Sequence, residues 1–198
     1  MMKIAISGAS GRMGKMLIEA VVKADDMTLA AALCPTGDAL IGQDAGAFMG
    51  AATGVLVTDD IEALKGCDVL IDFTRPAGTL AYLAFCREHG IGVVIGTTGF
   101  DAQGKAAIEA AASDIPIVFA PNMSVGVNAA FKLIEVAAKL LADYDCEIVE
   151  MHHKHKVDAP SGTALEMGRR VAAARGAKFE DVAVLSREGH TGERRPGS

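Results

Sequence analysis

Lys3-Ile4-Ala5-Ile6-Ser7-Gly8-Ala9-Ser10-Gly11-Arg12-Met13-Gly14 is the stretch that decides the fold. Residues 3–7 form a short β-branched run and read as a buried strand. Gly8, Gly11 and Gly14 follow, and Met16, Leu17, Ala20, Val21 and Ala24 then fall at helical spacing. Strand, glycine loop, helix is the context that a dinucleotide-binding turn requires. The first glycine permits the tight turn. The second lets backbone approach a pyrophosphate, and the third lets helix and strand pack closely. The spacing is G-x-x-G-x-x-G rather than G-x-G-x-x-G, so an ordinary glycine-rich turn is the competing reading.

Working outward, residues 28–33 read as a second strand. An acid near the end of that strand would hold ribose hydroxyls in a dinucleotide site. Here the chain reads Cys34-Pro35-Thr36-Gly37, with Asp38 slightly beyond. Arg12 is placed to meet a 2′-phosphate, or is a solvated residue at a helix start. Residues 37–54 read as a long loop with one helical turn, and 55–58 as a third strand. A short helix spans 59–65, capped by Thr58 or Asp59. Strands at 68–73, 92–95 and 115–120 alternate with a helix ending at His89 before Gly90 and another capped by Asp101. This alternation predicts an α/β fold with a doubly wound parallel sheet. Ligands in such sheets lie beyond the carboxyl ends of the strands. Four loops end there: Gly8 to Gly14, Phe73-Thr74-Arg75, Gly96-Thr97-Thr98 and Ala120 to Met123. Their Gly, Thr, Asn and Arg content points to one shared crevice, although Thr97 and Thr98 also suit plain turn chemistry.

The bulk numbers agree. A chain of 198 residues suits one large domain or one domain plus part of another. It is 51% apolar and 22% charged, enough to bury a core. A net charge of −6 argues against nucleic acid or an anionic membrane as a general partner. Cys34, Cys67, Cys86 and Cys146 form no C-x-x-C pair, which fits reduced thiols and a cytoplasmic protein. No apolar run reaches membrane-spanning length, and the run after Lys3 is too short for a signal-peptide core.

An amphipathic helix over 128–144 opens a second domain. Residues 146–151 read as a strand, and 182–186 as another. Between them lie His152-His153-Lys154-His155-Lys156-Val157-Asp158-Ala159-Pro160 and a helix starting at Ser161-Gly162-Thr163, which ends near Arg175 before Gly176. Cations crowded before a helix N-terminus, with its unpaired N–H groups, form an anion receptor. His-His-x-His also suits zinc, but the adjacent lysines would repel a metal, and no metal site is expected. A solvated basic loop is the plainer alternative. No cysteine has a partnered histidine in sequence, so a thiol nucleophile is unsupported.

Residues 150–164, Glu-Met-His-His-Lys-His-Lys-Val-Asp-Ala-Pro-Ser-Gly-Thr-Ala, closely resemble the signature of the dihydrodipicolinate reductases. Gly8 to Gly14, Asp72-Phe73-Thr74-Arg75-Pro76, Gly96-Thr97-Thr98-Gly99-Phe100 and Ser124-Val125-Gly126-Val127-Asn128 are similar to the same family, in order along essentially the whole chain. The histidine–lysine motif is highly specific; the glycine loop is not. The resemblance implies a Rossmann-type dinucleotide-binding domain at 1–125. An α+β substrate-binding and oligomerisation domain at 126–198 would follow, incomplete because the family's chains run on further. It implies NADPH or NADH as cofactor and reduction of 4-hydroxy-tetrahydrodipicolinate in the diaminopimelate route to lysine. It also implies a homo-oligomer, a tetramer in the family. By matched position His152 resembles the general acid/base and Lys156 its partner proton donor. His153 resembles a substrate contact, and Gly162 and Thr163 a cradle for a substrate carboxylate. Gly8, Ala9, Ser10, Gly11, Arg12, Met13, Gly96, Thr97, Thr98, Ala120, Pro121, Asn122 and Met123 resemble the cofactor contacts. Two departures stand out: the ribose-binding acid expected at Cys34 is absent, and the basic residue sometimes beside it is Pro35.

The implied substrate is a cyclic imine dicarboxylate. Its carboxylates call for cations and N–H donors, which the 152–163 stretch carries. Hydride addition leaves charge to be protonated, a task suited to histidine. Lys154 and Lys156 disfavour a charged imidazole, and a bound dianion favours it. Two rival functions keep the crevice: another dehydrogenase acting on a dicarboxylate, and a non-catalytic NAD(P)-binding remnant.

Overall fold

The computed structural model describes residues 1–154 and 156–194, and these form two compact units, Met1–Ala120 and a second from Pro121 onward. The first unit is built on six parallel strands: β1 (Met2–Ser7), β2 (Met27–Leu33), β3 (Val57–Thr58), β4 (Val69–Asp72), β5 (Gly92–Ile95) and β6 (Ile117–Phe119). Their order is β3-β2-β1-β4-β5-β6, so the winding reverses between β1 and β4. This is the doubly wound, Rossmann-type sheet expected from the alternating pattern.

Strand periodicity sorts the core into two layers. Ile4 and Ile6 point to one face, where they meet Ile18 and Val21 of α1 (Arg12–Lys23). Ala5, Leu70, Val93 and Ile95 point to the other, against Leu83 and Cys86 of α2 (Pro76–His89) and Ile108 and Ala111 of α3 (Ala102–Ala111). Gly90 ends α2 in the left-handed region, and the Asp101 carboxylate caps α3 by accepting from the Gly104 amide at 2.7 Å. The helix expected over 59–65 is a 3-10 turn, Ile61–Leu64. Its cap is Asp60 rather than Thr58 or Asp59: the Asp60 carboxylate accepts from Glu62 at 2.9 Å.

The second unit holds α4 (Val125–Leu140), α5 (Gly162–Ala174) and α6 (Phe179–Val182). Glu135 of α4 takes Arg170 of α5 at 2.6 Å, and the Arg170 guanidinium lies 5.8 Å from the ring centroid of buried Phe131. Two expected strands are not formed. Residues 146–151 form no regular element and pair with no described segment, and Val149 and Met151 are 89% and 93% exposed. A strand exists through its ladder, so an apolar alternating run without a neighbour does not become one. Over 182–186 the chain instead closes α6, whose first turn carries Glu180 and Asp181 and whose Phe179 ring lies beside Gly168 of α5. Acids in a first turn favour the helix through its dipole.

Candidate active site

Gly8 has φ +67°, and its carbonyl accepts from the Gly11 amide at 2.9 Å. A Cβ on Gly14 would stand 2.1 Å from the Gly8 oxygen, so only glycine lets α1 start against this turn. Gly11 precedes α1 and offers no side-chain cap. The first amides of α1, from Arg12 on, therefore have no partner within the helix. A bare glycine turn opening an uncapped helix end fits a pyrophosphate. Ala9 extends the ladder by donating to the Leu33 carbonyl at 2.9 Å. The Ser10 side chain helps hold the Asp38 carboxyl below the usual carboxylate range.

Next to this turn, at the reversal of the winding, lies a residue to which the sequence reading gave no role. Asp72 at the end of β4 is fully buried. Its Oδ1 accepts from the Ser7 hydroxyl at 2.5 Å and the Thr74 hydroxyl at 2.7 Å, and the Thr97 hydroxyl lies 3.4 Å from Oδ2. The Thr97 oxygen also accepts from the Thr74 amide at 2.9 Å. Buried carboxylates persist where donors satisfy them, and this one ties the ends of β1, β4 and β5 together. The Thr97 side chain thus faces inward, whereas Thr98 is exposed. Gly96 lies against the Phe73 ring, where a Cβ would come within 2.0 Å of Cε1. The only sequence signal for this network was an acid inside the apolar run 69–73.

Ala120 ends the first unit by donating to the Ile95 carbonyl at 3.3 Å. Pro121, Asn122 and Met123 begin the second. Asn122 Oδ1 accepts from the Ser124 amide, and the Asn128 amide group donates to the Asn122 and Ser124 carbonyls, each at 2.9 Å. This fixes the entry to α4.

In the same unit Glu150 links the two ends of the basic stretch. Its Oε1 accepts from the Ser161 amide at 2.7 Å, and its Oε2 lies 3.3 Å from His152 Nδ1. The Ser161 hydroxyl, then the Ser161 amide, hold the Glu150 carboxyl below the usual carboxylate range. Ser161 also caps α5, its oxygen accepting from the Ala164 amide at 3.1 Å. The two amides before that one, Gly162 and Thr163, have no acceptor among the described residues. A Cβ on Gly162 would meet nothing within 4 Å, so there is open space at this helix end. Lys156 Nζ holds Asp158 Oδ1 at 2.8 Å and pulls that carboxyl down. Lys156 is therefore paired with a carboxylate, and the His152 ring lies beside another. His153 is exposed, and its carbonyl accepts from the Lys156 amide at 3.1 Å. His155, the third imidazole of the zinc alternative, lies outside the described residues. Among the described residues no three His, Cys, Asp or Glu groups are placed to hold a metal, and no helix is long and apolar enough to cross a membrane.

Comparison with known proteins places this geometry in context. The family model for the dihydrodipicolinate reductase N-terminus matches residues 2–123, and that for its C-terminus matches residues 126–197. The 4-hydroxy-tetrahydrodipicolinate reductase of Ralstonia nicotianae is 62% identical over 199 residues, covering 100% of this chain and 76% of the relative. That of Cupriavidus metallidurans is 63% identical over 195 residues, covering 98% and 74%. Among solved structures, a dipicolinate-bound dihydrodipicolinate reductase from Paenisporosarcina sp. TG-14 superposes with a TM-score of 0.71 at 28% identity. That superposition covers 98% of this chain and 71% of the other. Two family models over nearly all of the sequence, and relatives above 60% identity, leave one assignment: the chain belongs to the dihydrodipicolinate reductase family.

Proposed function

We propose that the chain reduces 4-hydroxy-tetrahydrodipicolinate to tetrahydrodipicolinate, in the diaminopimelate route to lysine, with NADH or NADPH as reductant. The observation that carries this reading is the 62% identity, over the whole chain, to a protein of that activity. The glycine turn supports it. So does the Glu150–His152–Ser161 arrangement, which joins a proton donor to an open helix end.

When bound, the reduced nicotinamide supplies a hydride. Residues 1–125 serve as the dinucleotide-binding domain, with Gly8, Ala9, Ser10, Gly11, Arg12 and Met13 around the pyrophosphate. Gly96, Thr97, Thr98, Ala120, Pro121, Asn122 and Met123 contribute further cofactor contacts. Thr97 acts there through backbone, since its hydroxyl is engaged by Asp72 and Thr74. Residues 126–198 serve the substrate. The Gly162 and Thr163 amides and the Thr163 hydroxyl receive one carboxylate at the start of α5, where backbone dipoles favour an anion. Lys156 exchanges Asp158 for the other carboxylate, and His153 adds a contact. His152 is the general acid: its Nδ1 faces Glu150, which leaves Nε2 to deliver a proton to the reduced ring. The protein acts in the cytoplasm as a homo-oligomer, a tetramer as in its family.

The test is oxidation of NADH or NADPH, followed at 340 nm, on adding freshly generated substrate. Substrate-dependent oxidation at enzyme-like rates is expected. Dinucleotide binding without substrate-dependent oxidation would replace the reading with that of a binding protein.

A further inference from the structure

The position at the end of β2 where a ribose-binding acid is expected holds Cys34, and the structure shows that this residue serves another purpose. Its side chain is 2% exposed and its thiol donates to the Thr58 carbonyl at 3.7 Å. It belongs to the contact between β2 and β3. The chain then reverses at once. Asp38 donates its amide to the Pro35 carbonyl at 3.1 Å, closing a turn in which Gly37 has φ +83°. A positive φ at the third position of a four-residue turn is the place for glycine. The reversal brings the Asp38 carboxylate back toward the glycine turn, where the Ser10 side chain, then the Leu40 amide, hold it below the usual carboxylate range. Asp38 Oδ1 also accepts from the Leu40 amide at 2.9 Å, which fixes the side chain.

A carboxylate accepts at about four lone-pair sites. The Ser10 hydroxyl and the Leu40 amide leave acceptor capacity on Asp38. That capacity lies on the β2 side of the winding reversal, beside the turn that takes the pyrophosphate. In a doubly wound dinucleotide site this is the adenosine end, where an acid meets the ribose hydroxyls and a cation meets a 2′-phosphate. The cation that acts on Asp38 is Lys15, whose ammonium stands 5.7 Å from the Phe48 ring centroid.

Building on the nicotinamide reading above, we propose that Asp38 accepts the adenosine ribose hydroxyls and disfavours a 2′-phosphate, making NADH the preferred reductant. The acid missing at the strand end is supplied one turn later. A carboxylate and a 2′-phosphate set side by side repel each other, whereas a vicinal diol donates to the same oxygens.

Equilibrium titration of NADH and of NADPH, read by nicotinamide fluorescence with no substrate present, tests this apart from catalysis. The native chain is compared with Asp38→Asn and Asp38→Ser, and circular dichroism checks that each variant is folded. The native chain is expected to bind NADH more tightly than NADPH. Both variants are expected to lower the ratio of Kd(NADPH) to Kd(NADH) by tenfold or more. A native preference for NADPH, or a ratio that neither variant moves, would overturn the proposal and leave the reductase reading standing. Failure of the native chain to bind either dinucleotide would overturn both.

Discussion

Glu150 Oε2 lies 3.3 Å from His152 Nδ1 while the other oxygen of the same carboxylate accepts from the Ser161 amide at 2.7 Å. One side chain thus lies beside the imidazole and anchors the cap of α5. The proposed proton donor and the proposed carboxylate cradle therefore share one partner, which need not itself touch substrate.

Replacing His152 by Gln removes the proposed acid, and kcat should fall by ~10²–10⁴. Glu150→Gln keeps an acceptor for Ser161 but loses the charge facing the ring. Its kcat should fall by about tenfold or more, with dinucleotide affinity unchanged, because a partner that orients a functional group is worth on the order of 10–100-fold. The pH–rate profile of Glu150→Gln should move as well. A Glu150→Gln profile that overlays the native one would assign Glu150 to α5 alone.

Lys156 and Asp158 give a pair of opposite expectations. Lys156→Met should weaken binding of pyridine-2,6-dicarboxylate by roughly tenfold, the scale of one charge-assisted hydrogen bond. Asp158→Asn frees the ammonium from its 2.8 Å partner and should tighten the same diacid severalfold. Calorimetric titration decides both, and equal effects of the same sign would show that the pair acts only as a structural unit.

At Gly14 the obstruction is backbone rather than a flexible side chain, since an added Cβ would lie 2.1 Å from the Gly8 oxygen and 2.8 Å from the Ala9 Cα. Gly14→Ala should therefore destabilise by at least the ~1–3 kcal/mol typical of overpacking, measured by urea unfolding. Dinucleotide affinity should drop more than tenfold. By contrast Gly162→Ala, which meets open space, should unfold like the native chain and lose affinity only for the diacid.

What the sequence made legible was what repeats or is local. Ile4 and Ile6 alternate with Ala5, Gly90 and Asp101 sit at helix ends, and Gly8 and Gly14 flank a turn, so each could be read from its neighbours alone. What escaped depended on partners distant in sequence. The segment 146–151 has a strand's composition and joins no ladder among the described residues. Asp72 looked like the end of a strand, yet its three hydroxyl partners come from positions 7, 74 and 97. Asp38 lies beyond the strand end in sequence, and only the turn at Gly37 shows that the chain reverses there.

The four thiols are free, and three are buried. Burial pushes Cys86 up to about 12 and raises Cys34 and Cys67 above their ordinary value. A thiol reacts as its thiolate, so native protein at neutral pH should take up one equivalent of maleimide, at half-buried Cys146, and four only after denaturation. Rapid uptake of more than one would contradict the burial of the sheet cysteines.

Acid should loosen α4 from α5 at a defined point. Glu135 accepts from Lys132 at 2.9 Å and Arg170 at 2.6 Å, which lowers its carboxyl from 4.5 to about 2. A carboxyl depressed in the folded state stabilises above its unfolded value and loses that contribution as pH falls through the folded one. The clamp should therefore be intact at pH 6 and weaken progressively between about pH 4.5 and pH 2. Glu135→Gln removes the titrating group, so its melting temperature should lie below that of the native chain at pH 6, and the two should converge near pH 2. Added salt at pH 6 should narrow the gap, because both partners are partly exposed and screened. A gap that stays constant from pH 6 to pH 2 would mean that Glu135 contributes through packing on Phe131 and not through its charge.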